Sequence, residues 1–112
     1  MTRRISKGQV KVIDNLGKLW QKGKGLYTGD FLNGNKNGKG EFEFDSGLKY
    51  YGEYYNNIKQ GWGKLLNKNG KVAYEGEFKN DEYHGKGKYY YSDNSFYDGE
   101  WQNGARHGEG FY

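Results

Sequence analysis

The chain has 112 residues, a mean hydropathy of −1.21 and only 19 Leu, Ile, Val and Phe side chains, which fits one domain and excludes an ordinary aliphatic core. Apolar surface comes instead from 12 Tyr and 3 Trp; one buried aromatic removes roughly 150–250 Å² from water, so a few rings per unit can replace aliphatic packing. The absence of Cys excludes disulfides, thiolate metal sites and thiol nucleophiles, and the net charge of +4 is uneven: residues 1–26 hold seven basic side chains and one acid (+6), residues 27–112 hold 11 and 13 (−2).

From the N-terminus, residues 1–8 are polar and basic, with no apolar run of signal-peptide or membrane-spanning length. Val10 to Ile13 alternates as a strand does, residues 14–17 read as a turn, and residues 18–20 as the returning strand. Gly8, Val10 and Val12 share the spacing of Gly40, Phe42 and Phe44. Residues 1–26 are therefore expected to be a basic lead-in with a degenerate capping half-repeat, since the end units of repeat arrays are commonly atypical.

From Tyr27 onward one unit recurs. Its copies start at Tyr27, Tyr50, Tyr74 and Tyr97, spaced 23, 24 and 23 residues apart. Counting that Tyr as position zero, Gly falls at position two (Gly29, Gly52, Gly76, Gly99) and an acid at three (Asp30, Glu53, Glu77, Glu100). An aromatic falls at position four (Phe31, Tyr54, Phe78, Trp101) and Asn at six (Asn33, Asn56, Asn80, Asn103). Gly returns at eleven and thirteen (Gly38 and Gly40, Gly61 and Gly63, Gly85 and Gly87, Gly108 and Gly110). A fixed period in this range marks a repeat architecture.

Within each copy, positions zero to five alternate as a strand, and a polar connection such as residues 33–37 follows. The second strand begins near the Gly-x-Gly pair and runs through Phe42 and Phe44, or Tyr89 and Tyr91. Residues 45–47, 67–70 and 92–95 turn into the next copy. Each copy is thus a β-hairpin, and the predicted boundaries are 27–49, 50–73, 74–96 and a truncated 97–112. The predicted fold is all-β: an elongated, single-layer antiparallel meander of successive hairpins, slightly curved and twisted. The extra residue before Tyr74, with Asn67 where the neighbouring copies have Phe44 and Tyr91, predicts a local disturbance of register.

Glycine inside a strand weakens it, so these glycines need a purpose. Bare strand backbone offers a flat strip that an aromatic ring can cover, which recovers the lost stability. The expectation is that rings of one hairpin cover the glycines of the next, which makes the array cooperative.

The Tyr-x-Gly-x-aromatic-x-Asn stretch followed by Gly-x-Gly resembles the MORN repeat (membrane occupation and recognition nexus) over residues 27–112. The resemblance implies the curved single-layer sheet and a role as a scaffold in cytoskeletal, membrane-contact or ciliary settings, with partner segments bound along an aromatic-lined groove; an enzyme is not expected, because no constellation of residues supports one. The implied localisation is cytoplasmic, with cytoskeletal or membrane association.

Tyr27, Phe31, Tyr50, Tyr54, Tyr74, Phe78, Tyr97 and Trp101 read first as core, packed on the glycines and on each other; because a one-layer sheet cannot bury both faces, some of these rings are expected to stay partly exposed, and their groove-ward edges are the expected partner-binding residues. The partner is a peptide or helical segment. The alternative is a membrane-surface adaptor touching anionic lipid through Arg3, Arg4, Lys7, Lys11 and Lys18. A homodimer through the C-terminal sheet edge at Tyr112 is a further expectation. Nucleic acid is not expected, because the aromatic part is net acidic. No cofactor or metal is expected either: position-three acids two strands apart lie roughly 10 Å from each other, too far to share an ion. They read as a solvated face with Lys64 and Lys88 as cross-strand partners, and His84 and His107 read as exposed turn residues. No nucleophile, base and orienting acid assemble into a triad.

Overall fold

The computed structural model describes residues 10–13 and 16–111. The expectations placed on Arg3, Arg4, Lys7, the centre of the first turn and Tyr112 lie outside the described residues. The strands are β1 (Val10–Ile13), β2 (Leu16–Gln21), β3 (Gly25–Leu32), β4 (Asn35–Phe44), β5 (Lys49–Tyr55), β6 (Ile58–Leu66), β7 (Val72–Lys79), β8 (Glu82–Tyr90), β9 (Phe96–Gln102) and β10 (Ala105–Phe111). Each pairs antiparallel with its sequence neighbours, giving one ten-stranded open meander in chain order. The molecule measures 52 × 27 × 22 Å, and the described residues contain no helix. This is the predicted all-β, single-layer array.

The position-six asparagines open the hairpin turns. Asn33–Gly34, Asn56–Asn57, Asn80–Asp81 and Asn103–Gly104 have positive φ at both residues, for example 51° and 68° at Asn80 and Asp81. That is the type I′ turn, whose twist matches the flanking strands and which selects Asn, Asp and Gly. The turn needs two residues only, so β4 starts at Asn35. The connection expected over residues 33–37 is therefore largely strand.

Each hairpin then absorbs two extra residues in its second strand: Gly29 pairs with Gly40, but Phe31 pairs with Lys36. The same shift recurs at Gly52 and Tyr54, at Gly76 and Phe78, and between His107 and Gly110. The position-eleven glycine makes this bulge possible, with φ of 100°, 91°, 63° and 64° at Gly38, Gly61, Gly85 and Gly108. The position-three acid holds it. Asp30, Glu53 and Glu77 accept the backbone N–H of Lys39, Trp62 and Lys86 at 3.0, 2.6 and 2.7 Å. Asp30, Glu53 and Glu77 are thus bulge caps. Lys64 sits 3.9 Å from Glu75, at position one, rather than beside a position-three acid. Lys88 lies over the rings of Tyr90 and Phe96.

The extra residue near Tyr74 is taken up as predicted, by a shift in which Leu65 faces Tyr74 while Leu66 faces Val72. Asn67 itself builds the preceding turn, accepting the N–H of Asn69 and Lys71 at 2.9 and 3.0 Å.

Two rows run across the sheet. One is made of glycine from β2 to β10: Gly17, Gly29, Gly40, Gly52, Gly63, Gly76, Gly87, Gly99 and Gly110 are successive cross-strand partners, and Val12 of β1 faces Gly17. Gly17, 23 residues before Gly40, is the β2 member of this row, while the match expected from Gly8 lies outside the described residues. The other row holds Leu19, Tyr27, Phe42, Tyr50, Leu65, Tyr74, Tyr89 and Tyr97.

Each position-zero tyrosine leans from its row over the glycine row. A Cβ added at Gly40, Gly63, Gly87 or Gly110 would strike the ring of Tyr27, Tyr50, Tyr74 or Tyr97. The phenols then donate to the backbone carbonyls of Asp30, Glu53, Glu77 and Glu100 at 2.8, 2.9, 2.8 and 3.1 Å. Each ring thus covers the glycine of its own hairpin, not of the next as expected. The register puts position zero opposite position fifteen of the same copy, so its ring reaches diagonally across to position thirteen.

Candidate functional site

The alternation of the strands gives the sheet two unlike faces. On the ladder face, position-zero and position-four rings interlock edge to face. Within copies the pairs are Tyr27–Phe31, Tyr50–Tyr54, Tyr74–Phe78 and Tyr97–Trp101, at 5.1, 5.2, 5.2 and 5.4 Å between centroids. Between copies they are Tyr27–Tyr54, Tyr50–Phe78 and Tyr74–Trp101, at 5.2, 5.2 and 5.6 Å. One unbroken T-shaped chain, the favoured aromatic geometry, therefore stitches the four copies together. The Trp101 indole N–H is satisfied by the carbonyl of Gly87 at 3.0 Å.

This ladder is core. Tyr27, Tyr50 and Tyr74 are 0% exposed, Tyr54, Phe78, Tyr97 and Trp101 are also buried, and Phe31 is half-buried. The ladder is therefore the core that one reading of it expected, and the groove-ward edges expected to stay open are covered at Tyr27, Tyr50 and Tyr74. A single layer hides them because glycine backbone lets each ring lie flat, and because position nine supplies a cover.

That cover was not read from the sequence. Lys36 lies over Tyr27, Phe42 and Tyr54 at 5.8, 5.0 and 5.3 Å, and Lys59 over Phe44 and Tyr50 at 5.4 Å each. Tyr83 stacks on Tyr74 at 3.9 Å, and the Arg106 guanidinium lies 5.6 Å from the centre of the Tyr97 ring. The spacing of nine was visible, but the residue type changes from copy to copy because a cation and a ring both satisfy an aromatic face. Burial depresses the Lys36 and Lys59 ammonium pKa values and pushes the phenols of Tyr27 and Tyr83 up to about 12.

The opposite face carries an open groove of about 960 Å³, walled by Tyr51, Trp62, Leu66 and Val72 with Lys39, Glu41, Glu53 and Lys64. Here the aromatics are exposed: Trp62 by 55%, Tyr51 by 39% and, on the same strand face, Tyr55 by 62%. All three belong to the second copy, at positions twelve, one and five. The other copies place Lys39, Lys86 and Glu109 at twelve, Thr28, Glu75 and Asp98 at one, and Leu32, Lys79 and Gln102 at five. The signal was therefore present in the sequence as aromatics that depart from the repeat pattern, on the parity opposite to the ladder. Lys18 projects on this face too, in the row with Thr28, Glu41 and Tyr51. Lys11 is described in backbone only, as part of β1.

His84 and His107 lie within β8 and β10, not in turns. Among the described residues no group of His, Cys, Asp or Glu is arranged to hold a metal ion.

A family model for the MORN repeat matches residues 27–49, 50–72, 74–96 and 97–112. No curated protein matches the chain at a significant level. The matched segments coincide with the four Tyr-led copies and cover the ladder, the bulge caps and the groove.

Proposed function

The chain belongs to the MORN repeat family, a non-catalytic module of protein and membrane interaction, and from that premise we propose that it is a non-enzymatic scaffold whose protein partner lies in the groove of the second repeat. The observation that carries the reading is Trp62 and Tyr51, half-exposed in a groove walled also by Leu66 and Val72. Exposed Trp and Tyr at the centre of a concavity are the residue types that dominate binding energy at interfaces. The charged rim of Lys39, Lys64, Glu41 and Glu53 carries both signs, which suits a peptide or helix of mixed charge with apolar anchors.

The ladder gives this surface its rigidity. Because the rings on the other face lock the strands, the groove is pre-formed and loses little entropy on binding. The test captures partners from the source cell with the intact chain and with the Tyr51→Ala/Trp62→Ala double variant, then measures affinity by calorimetry. The double variant is expected to fold normally and to lose at least about 2 kcal/mol of binding. Unchanged affinity would remove the groove from the interface.

The second reading is contact with anionic membrane through the basic N-terminal residues. It rests on the +6 charge of residues 1–26, with about 1 kcal/mol per basic side chain near such a surface. Replacing Arg3, Arg4 and Lys7 by Ser should then release the protein from vesicles containing phosphatidylserine. Retention would sink it.

A further inference from the structure

The geometry points to a proline-rich segment in the polyproline II conformation, with an arginine at one end, as the occupant of the second-repeat groove, an assignment that rests on the groove being the binding surface. Three features of the groove select this ligand over an amphipathic helix or an added strand.

The first is an unused donor. Trp62 is 55% exposed. Its backbone N–H is held by Glu53, but its indole N–H meets no acceptor among the described residues, whereas the Trp101 indole donates to Gly87. A partner that covers this donor must supply an acceptor. A helix uses its carbonyls internally until its last turn. Polyproline II has no internal hydrogen bonds, so every residue presents a free carbonyl. An added strand needs a free sheet edge, and the groove lies on the face of β3 to β7, each paired on both sides.

The second is a slot for a ring. Tyr51 faces Lys64, and Trp62 stands two residues along the same strand. The two aromatics are therefore diagonal neighbours about 7–8 Å apart at Cα, with the Gly52–Gly63 pair between them. Side chains stand roughly upright on a sheet, so the gap admits one flat aliphatic ring in contact with both walls at about 3.5–4.0 Å. A hydrogen bond to Glu41, the cross-strand partner of Tyr51, anchors that wall and raises its phenol pKa. A prolyl ring fills such a gap with no loss of side-chain rotamers. The lining runs from Thr28 in β3 to Val72 in β7. Four inter-strand steps of about 4.8 Å make about 19 Å, the span of about six polyproline II residues.

The third is charge. Trp62 stands between Glu53, which accepts its backbone N–H, and Glu77, its cross-strand partner. Both acids cap bulges through Oε2. Both are exposed, and neither Oε1 has a hydrogen-bond or ion-pair partner among the described residues. The next cations in the row, Lys39 and Lys86, stand one strand beyond the acids. A guanidinium laid on the Trp62 ring thus meets a π face and two carboxylates together. The other copies carry Lys39, Lys86 and Glu109 in place of Trp62, so the site is single.

Three synthetic probes would be titrated into the full chain: decaproline, decaproline ending in arginine, and an amphipathic helical peptide of the same net charge as the second. Backbone amides and the three indole N–H resonances are followed by NMR. Saturable shifts are expected at the Trp62 indole and at the amides of Tyr51, Gly52 and Gly63, with the Trp20 and Trp101 indoles unmoved. The terminal arginine should tighten binding about threefold. Trp62→Phe keeps a ring and deletes the donor, and should weaken decaproline binding about fivefold while the ladder resonances stay in place. Glu53→Gln with Glu77→Gln keeps an oxygen at each bulge and should abolish the advantage of the arginine. Shifts that do not saturate, an unchanged affinity in Trp62→Phe, or an arginine advantage that survives the double Gln variant overturn the assignment. Binding of the helical peptide in the groove without binding of decaproline also overturns it and leaves the groove as an interface. The groove itself is judged separately, by the calorimetry of Tyr51→Ala/Trp62→Ala.

Discussion

At the scale of single residues the protein turns on the pairing of a tyrosine with a glycine. Gly87 lies under the Tyr74 ring, and the Tyr74 hydroxyl donates to the carbonyl of Glu77 at 2.8 Å. Gly87→Ala places a methyl group where the ring lies. It should cost about 1–3 kcal/mol through overpacking, read from the midpoint of urea unfolding. Tyr74→Phe keeps the ring and removes only the hydrogen bond, so a loss of about 1 kcal/mol is expected in the same measurement. Gly34 makes the contrast: a Cβ there meets nothing, and its φ of 80° is one that Asn tolerates, as Asn57 shows with φ of 70°. Gly34→Asn should change stability by less than about 0.5 kcal/mol.

At the scale of the element, the hairpin is defined by its turn and its bulge, and both also touch the neighbouring hairpin. Asn57 donates its backbone N–H to the Lys36 carbonyl at 2.9 Å and accepts the Lys36 N–H on Oδ1 at 2.8 Å. Asp81 repeats the pair against Lys59 at 3.1 and 2.8 Å. The type I′ turn of one copy is thus clipped to the second strand of the copy before it. Asn57→Gly preserves the positive φ and the backbone bond but deletes the side-chain acceptor. It should cost about 0.5–1.5 kcal/mol, and amide exchange at Lys36 should quicken while exchange at Lys88 does not. Persistence of Lys36 protection would show that the clip carries no weight.

At the scale of the whole molecule, the ladder is one continuous chain of rings, so its ionisation is a property of the array. Burial first, and then the charge of Asp30, raises the Tyr27 phenol to about 12; burial, and then Tyr89, does the same for Tyr83. A phenol whose folded value lies above its unfolded value of about 10 stabilises the fold fully below pH 10. That contribution falls as the pH rises from 10 to 12, because the unfolded chain releases the proton first. Tyr50, Tyr54 and Tyr74 are raised still further, also by burial. The array should therefore hold its circular dichroism at pH 9 and unfold cooperatively above pH 10, with tyrosinate absorbance rising together with the loss of strand signal. Smooth titration of all twelve tyrosines near pH 10 in a folded sheet would contradict the buried ladder.

The hairpin meander, the four copies and the absence of an aliphatic core were determined by the sequence alone, because they follow from local rules: period-two alternation, turn chemistry at Asn33 and Asn80, and a fixed repeat length. The faces were decided only in three dimensions. Whether Tyr27 or Tyr51 is exposed depends on which side of the pleat the bare backbone of Gly40 can receive a ring, and on a bulge that two extra residues and Asp30 create together. Strand parity assigns residues to two sets, and it is the cross-strand register of the glycines that makes one set the core and leaves the other, with Trp62, exposed.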